Sequence, residues 1–592
     1  MATTKPLRLS SVAPLLLASG FCALVYQTAW TREFRLVFGA STAASAAVLA
    51  VFMGGLGLGA YVLGPRADRR LDPLLFYARL EALIALSAGA TPWLLSLARD
   101  LYAALGGTAV LGMLGATLLR LLLAAVVLLP TTFLAGGTLG AAARAVSHAS
   151  DGRRSGTALL YGINTFGALV GCLATTFFML ETFGTRRTLW LASLLNLLVA
   201  VRAGQLARVH RPAAAVRPVT TADPGPEPEG PVPEARPSFV LAAAALSGFA
   251  FFLMELVWYR MLGPILGGTV YTFGLVLAMA LLGIAIGGLC YPLVMRRLRV
   301  GLYLFAATCL AESALLALPY VLGDRLAVLA LRLSPTLETG LFGHVRGWAL
   351  VAAIVILPAA LVAGAQFPLL IALLGSGRAR LARHVGHAYL CNTLGAILGA
   401  LAGGFGLLPL IGALGAWRAA VLLLAALGLS ATLVSRERRT APRALALAGG
   451  VALVWVLAVA PGPTAAWRHS GIGASQVLSL GPWPTTSARE RKAWSNDVQR
   501  VVTWEREGIE SSVALQRWGG LAFTVNGKVD GNARNDVPMQ VMGGLLGVLL
   551  RNDVRSSLVI GLGTGSTAGW LAAAPSMERT DVVELEPAIV EV

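Results

Sequence analysis

Residues 247–260 read Ser-Gly-Phe-Ala-Phe-Phe-Leu-Met-Glu-Leu-Val-Trp-Tyr-Arg, and residues 19–32 read Ser-Gly-Phe-Cys-Ala-Leu-Val-Tyr-Gln-Thr-Ala-Trp-Thr-Arg. Ser, Gly, Phe, Trp and Arg recur in one register, 228 positions apart. The same offset carries Gly39 to Gly267, Val48-Leu49-Ala50 to Val276-Leu277-Ala278, and Gly55 and Gly59 to Gly283 and Gly287. It also carries Leu129-Pro130 to Leu357-Pro358, Ala135-Gly136 to Ala363-Gly364 and Gly184 to Gly412. Asn164-Thr165-x-Gly167-Ala168 returns as Asn392-Thr393-x-Gly395-Ala396. Chance likeness between apolar helices produces Leu and Ala matches, not Trp, Arg, Asn and Pro at one spacing. The chain contains an internal duplication.

Around this repeat lie stretches of roughly 18 to 25 apolar residues, the length of helix that crosses a hydrocarbon core of about 30 Å. The first copy has six predicted spans, 11–30, 42–63, 74–95, 117–143, 156–180 and 187–203. The second has six more, 239–258, 269–292, 301–322, 347–374, 385–411 and 415–434, and a thirteenth apolar stretch covers 443–461. Lys5 and Arg8 ahead of the first span also suit a signal peptide, but the repeat argues against its removal. An even number of spans per copy makes both copies enter from one side, the parallel-repeat arrangement of major-facilitator-like transporters. The expected layout is 1–208 as the first six-helix repeat, 238–435 as the second and 436–461 as an additional hydrophobic segment. Between the repeats, the Pro-rich 209–237 reads as a disordered linker.

The composition follows from that layout. Of 592 residues, 56% are hydrophobic and 13% charged, with a net charge of +18. Up to residue 461 there are 35 basic against 16 acidic residues; beyond it, 12 against 13. With the N-terminus cytoplasmic, 23 basic residues fall in cytoplasmic segments or at the span ends beside them, and 10 on the opposite side. The excess charge is therefore a topology signal, not a nucleic-acid footprint, and no nucleic-acid partner is expected. Lipid is the expected surrounding, in a bacterial inner membrane.

Several polar residues fall inside the spans: Gln27, Glu81, Arg120, Asn164, Glu255, Glu312 and Asn392. Such groups are costly at membrane depth and mark either a functional pathway or helix–helix pairing. Gln27 and Glu255 are repeat equivalents, as are Asn164 and Asn392, which points these four at the interface between copies. Gly55/Gly59, Gly283/Gly287, Gly167/Gly171 and Gly395/Gly399 are small-xxx-small packing faces. Five cysteines within spans and six scattered histidines imply neither a disulfide framework nor a metal site.

Beyond a connector at 462–497 the period changes, and 498–592 reads as a partial α/β unit. Strands are predicted at 501–505, 511–517 and 521–525, with Asn526-Gly527 as a hairpin signal, then a helix near 537–551. A buried strand, Ser557-Leu558-Val559-Ile560, runs into Gly561-Leu562-Gly563-Thr564-Gly565 and a helix from Ser566. A second strand, Asp581-Val582-Val583-Glu584, ends in an acid 23 residues after Gly561. Glycines that admit a ligand to the backbone and a carboxylate for ribose hydroxyls are the chemistry of a nucleoside site in a Rossmann-like unit. The Gly-x-Gly-x-Gly form favours an S-adenosyl nucleoside over NAD.

The repeated SGF…W-x-R opening, VNGKVDG…NDVPMQ (525–540) and LVIGLGTGST…VVELEPAIVE (558–591) together resemble the bacterial fused major-facilitator/spermidine synthase family over nearly the whole chain. That resemblance implies an aminopropyltransferase tail using decarboxylated S-adenosylmethionine and a diamine. Gly561, Gly563 and Gly565 would form the nucleoside turn and Glu584 would hold the ribose. Asp536 and Gln540 would stand at the substrate-proximal edge. Thr564 replaces the Asp usual in that family's turn, and Met539-Gln540 replaces its Tyr-His pair. The family's catalytic Asp would follow Val592, so no catalytic residue is assigned and this chain, read as truncated, is expected not to transfer an aminopropyl group. The alternatives are a transporter of a polyamine or related solute with a nucleoside-binding regulatory tail, and a non-catalytic nucleoside sensor. Thirteen full crossings would put the tail outside; a partial thirteenth would leave it inside.

Overall fold

The computed structural model describes residues 7–38, 42–147, 153–210, 236–333, 340–375, 380–435, 440–477, 487–517, 519–551 and 553–592. Most of the linker expected at 209–237 lies outside the described residues.

The first copy folds as α1 (Leu9–Phe38), α2 (Thr42–Asp68), α3 (Pro73–Ala104), α4 (Gly107–Gly136), α5 (Thr138–Val146), α6 (Ser155–Ala174) and α7 (Leu180–Val209). The second folds as α8 (Pro237–Leu266), α9 (Val270–Met295), α10 (Leu302–Leu322), α11 (Asp324–Leu333), α12 (Gly340–Leu373), α13 (Leu381–Ala402) and α14 (Leu408–Val434). Among the described residues, 10 helices are long and apolar enough to cross a membrane. Two of these, Ser155–Val209 and Leu381–Val434, each hold two of the predicted spans, and Arg443–Val459 is a shorter apolar helix. The protein is a multi-pass helical membrane protein.

The duplication extends to backbone detail. π-turns at Thr175–Met179 and Gly403–Leu407 are repeat equivalents. So are the bends at Gly184 (φ 69°, ψ 172°) and Gly412 (φ 70°, ψ 171°), where a positive φ with extended ψ admits only glycine. The glycine contacts also repeat. A Cβ on Gly167 would sit 1.9 Å from the Leu17 carbonyl oxygen, and one on Gly395 would sit 1.8 Å from that of Ala245. Gly59 against Phe133 (1.8 Å) repeats as Gly287 against Leu361 (2.0 Å). In lipid, association of helices rests on such close backbone approach, because apolar burial drives nothing between apolar tails. Across the interface α2 packs on α13 and α6 on α9, two contacts exchanged by the repeat.

One end of this interface is latched. The Asp68 carboxylate, at the end of α2, accepts the N–H groups of Ala382 (3.1 Å) and Arg383 (2.8 Å). It thereby caps the first turn of α13, where free donors and the helix dipole favour an anion. Arg144 lies 3.5 Å from the same carboxylate. Buried Arg154 donates to the Gly375 carbonyl at 2.8 Å. These arginines mark the end that carries the start of α1.

The tail sits at the other end. α15 (Thr440–Val459) starts beside the C-terminus of α14, where Arg443 donates to the Ser435 carbonyl (2.7 Å), and its 20 residues rise about 30 Å. The chain after it meets the C-terminal ends of α8 and α10. Trp467 of α16 (Ala465–His469) donates its indole N–H to the Met261 carbonyl, and Gly473 N–H donates to that of Pro264 at 2.9 Å. Asp324 accepts from the Thr464 N–H (2.9 Å), the Thr464 hydroxyl (2.7 Å) and the Ser495 hydroxyl (2.6 Å). The thirteenth segment thus joins opposite ends of the bundle. The stretch read only as a connector also contains α17 (Ala488–Val501), started by Ser487, whose hydroxyl accepts the Glu490 N–H at 3.1 Å. Ser487-x-x-Glu490 is the sequence sign of a capped helix start.

Four antiparallel strands follow in order: β1 (Val502–Glu507), β2 (Ser512–Arg517), β3 (Leu521–Val525) and β4 (Lys528–Asn532). Asn526 (φ 48°) and Gly527 (φ 80°) form the β3–β4 turn. Then come α18 (Val537–Leu550), β5 (Ser556–Ile560), α19 (Ser566–Ala572), β6 (Arg579–Val583) and α20 (Pro587–Val590), with β5 and β6 parallel. The strand expected to be buried is not: Leu558 is 60% and Ile560 83% exposed. Among the described residues β5 pairs with β6 alone, which leaves much of its surface uncovered.

Ionic contacts fix β1 to α16. Arg468 bonds Glu505 (2.8 Å) and Glu507 (3.4 Å), while His469 Nε2 lies 3.2 Å from Glu505. The close approach of His469, aided by Arg468 and opposed by burial, brings the Glu505 carboxyl down to about 2. Burial, reinforced by Arg468 and opposed by Glu505 and Glu507, brings His469 below its ordinary value. Each group binds protons more readily when released, so each contributes stability that is complete above its unfolded pKa and lost on acidification. Acidification from pH 7 to pH 4 should loosen the tail, first as a released His469 protonates below about 6.5 and then as a released Glu505 does below about 4.3. Protease sensitivity of the 462–497 segment measured across that range tests this; tighter protection at pH 4 than at pH 7 is the contrary result.

Candidate functional sites

The first candidate lies between the two copies. A cavity of about 280 Å³ is lined by all four repeat-related candidates, Gln27, Glu255, Asn164 and Asn392. Glu312 and Gln366 also face it, from α10 and α12. Gln366 donates its amide to Glu312 at 2.7 Å. Glu255 stands mid-helix with no hydrogen bond or ion pair to any described residue. The two halves have diverged here: the first presents the amide Gln27 where the second presents the carboxyl Glu255.

Glu81 stands behind this wall, not on it. Its carboxylate accepts from the Ser19 hydroxyl (2.6 Å) and from the Asn196 amide, whose own oxygen accepts the Tyr26 hydroxyl at 3.1 Å. Ser19, Asn196 and Tyr26 line the cavity. Sequence alone missed Asn196, Gln366 and Tyr26; as neutral residues on separate helices they carry no spacing signal. Arg120 is elsewhere, bonded to Thr108 (3.3 Å) and stacked over Tyr102 at the α3–α4 end. Among the described residues no group of three metal-ligating side chains forms, and the five cysteines are free.

The second candidate is the glycine turn between β5 and α19. Gly561, Gly563 and Gly565 have φ of 89°, 53° and 74°, a backbone only glycine adopts without strain. Glu584, leaving β6, accepts the Leu562 N–H at 2.7 Å, and its other oxygen accepts those of Leu585 (2.8 Å) and Glu586 (2.9 Å). Burial raises the Glu584 carboxyl, but backbone N–H donors from Glu586, Leu562, Leu585 and Gly563 outweigh it and leave it below the usual range.

The two departures from the resembled family touch each other: the Thr564 hydroxyl donates to Gln540 at 3.0 Å. Gln540 is further tied by its carbonyl to the Thr567 hydroxyl (3.2 Å). Asp536 sits at the start of α18 and accepts the Asn532 N–H at 2.7 Å, closing the β4–α18 corner. The structure therefore gathers Gly561–Gly565, Glu584 and Gln540 round one turn, with Asp536 one helical turn before Gln540.

This unit is linked to the membrane helices through the β1–β2 turn. Arg260 donates to the carbonyls of Gly508 (3.3 Å) and Ile509 (2.8 Å) and lies 3.6 Å from Glu507. From the other side Glu586, 3% exposed, accepts the N–H groups of Glu510 (2.7 Å) and Ser511 (2.9 Å). One turn thus gives its carbonyls to the membrane bundle and its amides to Glu586, just beyond β6.

No family model matches the chain. A polyamine aminopropyltransferase of Corynebacterium efficiens is 32% identical over 251 residues, 41% of this chain and 43% of that protein. The chain thus spans less than half the length of the curated relative it matches. Among solved structures it is similar to a bacterial homologue of the iron transporter ferroportin in the outward-facing state (TM-score 0.48, 15% identity) and to the same protein with soaked iron (0.47, 14%). Each covers 72% of this chain and 98% of the other. The human organic anion transporter MFSD10 is similar at a TM-score of 0.38 and 12% identity, covering 72% of this chain and all of the other.

Proposed function

We propose that the tail is a spermidine synthase-type unit that binds an S-adenosyl nucleoside, decarboxylated S-adenosylmethionine by preference, and that the chain belongs to polyamine metabolism. The observation that carries this is the hydrogen bond from the glycine turn to Glu584. It puts a carboxylate of lowered pKa beside three positive-φ glycines, where a ribose and its adenosine would rest. Partial homology to a polyamine aminopropyltransferase supports the same reading. Gly561, Gly563, Gly565 and Glu584 would hold the nucleoside, with Asp536 and Gln540 facing its reactive end; no catalytic base is assigned.

Radiolabelled decarboxylated S-adenosylmethionine binding to the full chain is the test. Glu584→Ala should weaken it at least tenfold, the cost of about 1.5–3 kcal/mol for hydrogen bonds to a charged group. Equal binding by wild type and variant, or none by either, rejects the site.

A second reading has its own observation. The halves enclose a cavity with carboxyl walls and are latched at one end by Asp68, Arg144 and Arg154. That arrangement suits alternating access, in which duplicated halves rock about a central site, with the tail as regulator. We place the N-terminus in the bacterial cytoplasm by the arginine asymmetry; a full thirteenth crossing would then put the tail on the outer face, and a partial one would leave it inside. A reporter fused after residue 470 decides the side.

A further inference from the structure

We propose that the cavity between the halves is a binding site for an organic ammonium ion, with Glu255 and Glu312 as its counter-charges. This names a ligand class for the second reading above, but it concerns binding and stands or falls apart from transport.

Three observations lead there. The lining contains two carboxyl residues and, among the described residues, no Lys, Arg or His. Glu312, 3% exposed, has one oxygen bonded to Gln366 and no described partner for the other, and Glu255 has no described partner at all. Both lie near the middle of their helices, where an uncompensated carboxylate is expensive. A cation entering the cavity supplies what the fold leaves out.

The rest of the lining chooses among cations. Tyr26, Trp30, Phe251, Phe252, Tyr161 and Tyr389 contribute aromatic surface, which attracts ammonium groups and accommodates an alkyl chain. A divalent metal ion is usually held by several converging charged or imidazole ligands, and no group of three His, Cys, Asp or Glu side chains exists among the described residues. Ser247 adds a buried hydroxyl oxygen with no hydrogen-bond partner, an acceptor for an N–H donor. The cavity volume of about 280 Å³ takes a short alkyl amine or diamine with room for water.

The duplication supplies the variant. Gln27 occupies the position of Glu255 in the other half, so the fold already carries the amide there. Titration calorimetry on the full chain in detergent, with 1,4-diaminobutane and the uncharged isostere butane-1,4-diol, is the experiment. Wild type should bind the diamine and not the diol. Glu255→Gln and Glu312→Gln should each weaken diamine binding by roughly thirtyfold or more, the loss on removing one member of a buried charge pair. Gln27→Glu, which adds a third carboxyl, should tighten it. Size-exclusion profiles and Tm establish that the variants are folded. Diol bound as well as diamine, both glutamine variants binding like wild type, or Mn²⁺ bound where diamine is not, each overturns the proposal. Uptake into liposomes by the same preparations then reads the transport interpretation separately.

Discussion

Arg260→Ala should release the tail from the membrane bundle. The guanidinium is buried, gives two hydrogen bonds to the 508–509 carbonyls and neutralises Glu507. Removing it strands two carbonyls and leaves Glu507 with Arg468 as its remaining cation. Breaking one side of a buried pair costs about 3–5 kcal/mol. Where opening is fast relative to cleavage, proteolysis follows the open population, so the 462–497 segment should be cut at least tenfold faster in the variant. Arg260→Lys keeps the charge but not the two-pronged geometry and should fall between. A cleavage rate unchanged in Arg260→Ala would show that the turn is held by something else.

Gly395→Val should prevent assembly of the second half. A Cβ there meets the Ala245 carbonyl oxygen at 1.8 Å, and two methyl groups stand beyond it. Backbone cannot rotate out of the way, so α8 and α13 must separate by more than an ångström along a face where Gly399 also touches Phe249. Ordinary overpacking costs about 1–3 kcal/mol; a clash with backbone between two closely packed helices should exceed that. The expected outcome is loss of the monodisperse size-exclusion peak. Gly204→Ala in α7, where an added Cβ meets nothing within 4 Å, is the control and should leave the peak intact. Gly167→Val should reproduce the defect in the first half, because its contact with Leu17 is the same contact. A well-folded Gly395→Val protein would reject the packing account.

That symmetry explains what the sequence made legible. Gly, Trp, Asn and Pro at one offset are constrained by backbone approach and bends, so duplication wrote the fold twice and comparison recovered it. Gln27 and Glu255 were traceable to the cavity for the same reason. The Glu81–Asn196–Tyr26 network was not, because it joins α3, α7 and α1 with no repeat counterpart to flag it: position 309, equivalent to 81, is a cysteine. In the tail the Gly561–Gly565 turn and Glu584 were readable because strand, turn and acid follow one another at fixed spacing. Gln540 meeting Thr564 was not, since α18 reaches the turn only through tertiary packing. The apolar run of β5 suits a buried strand, yet Leu558 and Ile560 are exposed; composition reports what a strand suits, not which neighbours cover it.

The tail contacts described above, at Arg260, Met261, Pro264 and Asp324, all fall on the second half. Two copies that began as equals are therefore mechanically unequal. In these contacts the second half alone carries the tail, and the first is joined to it only through the second. Glu255 and Arg260 are five residues apart on α8, about 7.5 Å along its axis. A cation bound at Glu255 would therefore stand about one and a half helical turns from the arginine that holds the tail.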